Sequence, residues 1–83
     1  MEHLEVGQVW ISNSSNGDCG LIITELKKND AVVFRGFGRH IGLDILDGKT
    51  KRAFIISGFD LVDKLPSWAP KFPQKYHDIM ILK

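Results

Sequence analysis

Cysteine is nearly missing from this chain: its 83 residues include one, Cys19. A single thiol excludes an internal disulfide and a cysteine-based zinc site, and it suits a reducing compartment. Long apolar runs are missing too, and nothing approaches the roughly 20 residues that a bilayer-spanning helix needs. The opening MEHLEVG holds acids and no apolar stretch, so no secretory signal is expected there. The expectation is a cytoplasmic protein with no membrane segment. Neither sign of charge is in excess, since 11 Lys and Arg face 10 Asp and Glu for a formal +1. That balance argues against a strong non-specific polyanion binder, but it admits either nucleic acid or protein as a partner.

The usual marks of catalysis are sparse. The histidines, His3, His40 and His77, are far apart in the chain, and the acids are scattered. Neither a triad nor a metal cluster is expected from that spread, nor is a cofactor. The glycines of residues 36–42 do not form a dinucleotide loop, because Ile41 stands where the third glycine would have to be. A convincing helical stripe is also lacking. A non-enzymatic protein is the expectation.

What the chain has instead is a series of short apolar runs broken by turn formers. Residues 5–12, EVGQVWIS, alternate as a strand does, with Val9 and Ile11 on one side and Trp10 on the other. A loop rich in Asn, Ser and Gly follows through residue 20. Residues 21–26 (LIITEL) predict a second strand, 27–30 (KKND) a short turn and 31–37 (AVVFRGF) a third strand. Residues 41–46 (IGLDIL) alternate as a fourth strand, Asp47-Gly48-Lys49 reads as a turn, and 52–56 (RAFII) as a fifth strand. Ser57 and Asp60 are spaced like a capping box, which predicts one turn of 3₁₀ helix; 61–65 (LVDKL) reads either as a strand or as a further helical turn. All three prolines fall in 66–76 (PSWAPKFPQKY), which predicts an extended aromatic arm, and 78–82 (DIMIL) reads as a terminal strand. The resulting expectation is an all-β fold: a small SH3-like barrel of five or six strands over residues 1–65, with arm 66–83 packed on the same domain. The terminal strand would pair with a sheet edge, in a monomer or a strand-exchanged dimer.

The run at residues 32–42, VVFRGFGRHIG, sets an aromatic among cations. Arg35, Phe37, Arg39 and His40 form a candidate partner-binding surface, joined by Trp10 and by Tyr76 from the arm. Arginine and aromatic anchors on a near-neutral chain suit a protein interface, so a partner protein is the leading expectation. Arg35-Gly36-Phe37-Gly38 also resembles the first half of the octamer signature of the RNA-recognition motif family, and residues 9–14 (VWISNS) are similar to its second signature. That resemblance implies bases stacked on Trp10 and Phe37 with Arg35 on phosphate. RNA or single-stranded DNA is therefore the alternative partner. A pocket for a small anionic ligand such as a nucleotide is a third reading.

Overall fold

In the computed structural model of the protein, which describes residues 4–13, 17–39 and 46–81, the short apolar runs of the first half form a meander. Strand β1 spans Val9–Ser12, β2 Cys19–Leu26 and β3 Ala31–Gly38; then come β4 (Leu46–Lys51), helix α1 (Arg52–Gly58), β5 (Phe59–Val62) and helix α2 (Gln74–Ile79). All pairings are antiparallel, in the order β4-β3-β2-β1-β5. Asn29 and Asp30 close the β2–β3 hairpin with φ of 69° and 63°. These two residue types tolerate the left-handed region, and consecutive positive φ angles match the twist of the flanking strands.

Both faces of the sheet are covered. Trp10 pairs with Leu21, and Leu21 with Gly36, so these positions share a face. There Trp10, Leu21, Ile23 and Val32 pack with Leu4 from the N-terminal stretch and Ile55 from α1. The opposite face carries Val9, Ile22 and Phe37, which pack with Phe72 and Tyr76 from the chain after β5. A buried side chain of this kind contributes about 1.5–3 kcal/mol. Two covered faces offset the small surface-to-volume advantage of an 83-residue chain.

Gln8 ties the first core together. It is buried, and its side-chain oxygen accepts from Trp10 Nε1 at 3.1 Å and from the Glu5 amide at 3.0 Å. Gln8→Leu would remove the acceptor of the buried Trp10 Nε1 and of the part-buried Glu5 amide. The expected loss is about 1–3 kcal/mol, measured by urea titration; an unchanged midpoint would show that water replaces the glutamine oxygen.

Several expectations need correction. The sheet is open, not a closed barrel: among the described residues β4 pairs with β3 alone and β5 with β1 alone. The chain runs between those two edges through α1, whose Ile55 is fully buried against the sheet. Residues 46–62 also exchange types. The Asp47-Gly48-Lys49 turn lies inside β4, the expected fifth strand is α1, and the expected 3₁₀ turn runs from the end of α1 into β5. Gly48 serves as a strand residue because it pairs with Phe34, whose ring covers the space a Cβ would fill. Ser57 does not cap a helix; its hydroxyl donates back to the Phe54 carbonyl at 3.3 Å. The strand expected at 41–46 lies outside the described residues except for its last position, which opens β4.

The terminal strand is corrected as well. Gln74–Ile79 is helical, starting directly after Pro73. Proline suits a helix start, where its missing N–H is not needed. Gln74 Nε2 donates to Asp78 Oδ1 at 3.0 Å one turn on, and Tyr76, Ile79 and Met80 face the sheet at helical spacing. The segment does dock: the Ile81 amide donates to the Gly7 carbonyl at 3.2 Å. Leu82 lies outside the described residues. Among the described residues, no helix is long and apolar enough to cross a membrane.

Candidate functional site

The residues expected to bind a partner are drawn together by the alternation of β3. Arg35 and Phe37 share the face to which the arm returns, and Arg39 follows just beyond the strand end. The Phe37 ring lies over Gly20 of β2, whose ideal Cβ would stand 2.6 Å from it. Above it the arm supplies Trp68, 5.7 Å between centroids, and Phe72, 5.1 Å and edge-on. Cations flank this stack. The Arg39 guanidinium lies 5.5 Å over the Trp68 ring and that of Arg35 5.3 Å over Tyr76, with Lys75 Nζ 5.1 Å from the same ring. Arg39 is fixed further by Asp18, through a 3.0 Å ion pair and a 2.8 Å backbone bond.

The aromatic–arginine surface is therefore filled by the protein's own arm. Phe37 is 3% exposed and Tyr76 6%, so both rings are buried, Tyr76 at the wall of a hollow of about 320 Å³ that it lines with Arg35 and Lys75. Trp10 is 2% exposed and lies in the core on the other face, away from Phe37. A base-stacking platform needs both rings exposed on one face, and the register places them back to back. Arg39 stays accessible at the rim, Arg35 is half-buried, and His40 lies outside the described residues. Among the described residues no group of three His, Cys, Asp or Glu side chains could hold a metal ion.

Among the described residues a different surface is open, where β5 forms one edge of the sheet. The Asn13 amide donates to the Gly58 carbonyl at 3.0 Å. Because ladder bonds alternate along an antiparallel pair, Asp60 and Val62 then point their backbone groups at β1, while Leu61 points its own outward. Among the described residues no backbone bond outside the ladder engages Leu61 or Asp63. Beside this edge runs a groove of about 710 Å³, lined by Ile11, Ser12 and residues 60–67. A smaller hollow of about 390 Å³ flanks it, lined by Glu5, Gln8, Leu61, Asp63 and Ile81. Leu61 is 45% exposed between the two. Hydrogen exchange should show the Leu61 amide unprotected and its neighbour Val62 protected; equal protection would mean that the edge is covered.

Reading LVDKL could not reveal this site, because the sequence left it undecided between strand and helix. Pairing with β1 makes Leu61 and Val62 of that run the end of a strand, and only strand order makes that strand an edge. The alternation of Asp60, Leu61, Val62 and Asp63 is the one local signal. Compared with protein-family models, with curated proteins and with solved structures, the chain matches none.

Proposed function

We propose that the protein is a small, non-enzymatic binding module of the cytoplasm whose partner is another protein. The observation that carries this reading is the outward-facing edge of β5 beside its open groove. Exposed edges invite pairing with a further strand, and proteins bind extended peptides in this way. Five strands with a short helix before the last also support an SH3-like scaffold, with α1 holding the fourth and fifth strands apart. The reading moves the contact surface from the arginine–aromatic ladder to β5, since the arm already occupies the ladder.

The test is affinity capture from native cytoplasm, with and without nuclease, comparing the wild type with Leu61→Lys. Leu61 is exposed, so the variant should fold normally. A protein retained after nuclease treatment, held at raised salt and lost from Leu61→Lys is the expected outcome. Retention that disappears with nuclease would instead favour RNA or single-stranded DNA.

A further inference from the structure

We infer that β5 takes an extended peptide as a sixth strand, and that this peptide alternates apolar with cationic side chains. The inference rests on the binding-module reading and specifies the chemistry of its partner.

Backbone geometry sets the mode. Within the four residues of β5, Leu61 presents its amide and carbonyl outward, so an incoming strand finds one pair of backbone groups with which to start a ladder. A peptide of about five residues, roughly 17 Å long, would cover the edge. Its alternate side chains would fall on the two sides of β5. One set meets the groove walled by Ile11, Leu65 and Pro66, and the other meets the hollow beside Leu61 and Ile81.

Charge selects the occupant. Asp60 and Asp63 line the groove, and Glu5 and Asp63 line the hollow. Lys64 is the one cation among the described residues lining either. An incoming strand with lysine or arginine at alternate positions, turned to the groove side, would set them against Asp60 and Asp63 and leave its apolar positions beside Leu61 and Ile81. A second copy of the chain fits less well. Antiparallel pairing of β5 with itself about Leu61 would set Asp60 opposite Val62 and Asp63 opposite Phe59 of the other copy, so neither carboxylate would gain a facing cation.

The probes are capped nine-residue peptides alternating valine with lysine, with serine or with glutamate, titrated into the full chain while amide shifts are followed by NMR. The lysine peptide should bind about threefold to tenfold more tightly than the serine peptide, as two exposed ion pairs would give, and the glutamate peptide most weakly. Binding should protect the Leu61 amide. Leu61→Pro removes the outward N–H without taking a ladder bond, and proline is tolerated at such edge positions. It should abolish binding, whereas Leu61→Val should keep it, with circular dichroism confirming both folds. Asp60→Asn combined with Asp63→Asn should equalise the lysine and serine peptides while leaving both bound.

Equal binding of lysine and serine peptides to the wild type would overturn the charge selection. If no peptide bound while a cytoplasmic protein was still captured through Leu61, strand addition would be overturned and the module reading would survive. A concentration-dependent dimer broken by Leu61→Pro would name a second copy as the occupant and refute the cationic peptide.

Discussion

Replacing Gly7 with alanine should destabilise the protein by roughly 3 kcal/mol, through combined backbone strain and overlap. Gly7 sits at φ 99°, which side-chain-bearing residues rarely adopt. An added Cβ would also overlap the carbonyl oxygen of Ile79 at the end of α2. Neither neighbour can yield easily. The Gly7 amide donates to the Ile23 carbonyl at 2.8 Å, and its carbonyl accepts from Ile81. The N-terminal stretch and the docked arm thus cross at one backbone position. Thermal unfolding should shift down by on the order of 10–20 °C for a chain of this size. Gly17→Ala provides the comparison. Gly17 also has positive φ, 70°, but its nearest contact to an added Cβ is 3.7 Å away. That variant should lose only about 1 kcal/mol, for strain alone. Equal losses at the two sites would show that contact with α2 contributes nothing.

Truncating Phe37 to alanine should cost about 3–5 kcal/mol, the range for a large aromatic removed from a core. That is a major part of the roughly 4–12 kcal/mol expected for a domain of this length. The ring fills the space above Gly20 and supports both Trp68 and Phe72. Its loss should loosen the arm, so Trp68 emission should move to longer wavelength before global unfolding. Trp10, in the core on the opposite face, supplies a constant background in this measurement. A Phe37→Ala protein with wild-type stability would mean that the arm does not pack on β3.

Much of the fold is legible locally. Alternation marks β1, and short apolar runs bounded by turn formers mark β2 and β3, because strands buried on both faces carry consecutive apolar residues. The KKND turn is legible because Asn and Asp are the side chains that accept positive φ. Docking of the arm is legible from its composition, since Trp68, Phe72 and Tyr76 carry too much apolar surface to stay in water. The element types of residues 46–62 and 74–81 are not. A short apolar run such as RAFII or DIMIL suits either helix or strand, and a six- or seven-residue helix has little stability of its own. Burial of Ile55 and Tyr76 decides both cases.

The candidate site divides along the same line. Sequence alone supplied the residue types, cations beside aromatics in β3 and aromatics between prolines in the arm. Tertiary structure decided that these two sets fill one another, because Phe37 and the arm meet on the same face of the sheet. It also decided that Trp10 faces the other way, a consequence of register between β1, β2 and β3. The open edge at β5 came from strand order alone. No local pattern states which strand lacks a neighbour, because that depends on pairings made between residues far apart in the chain.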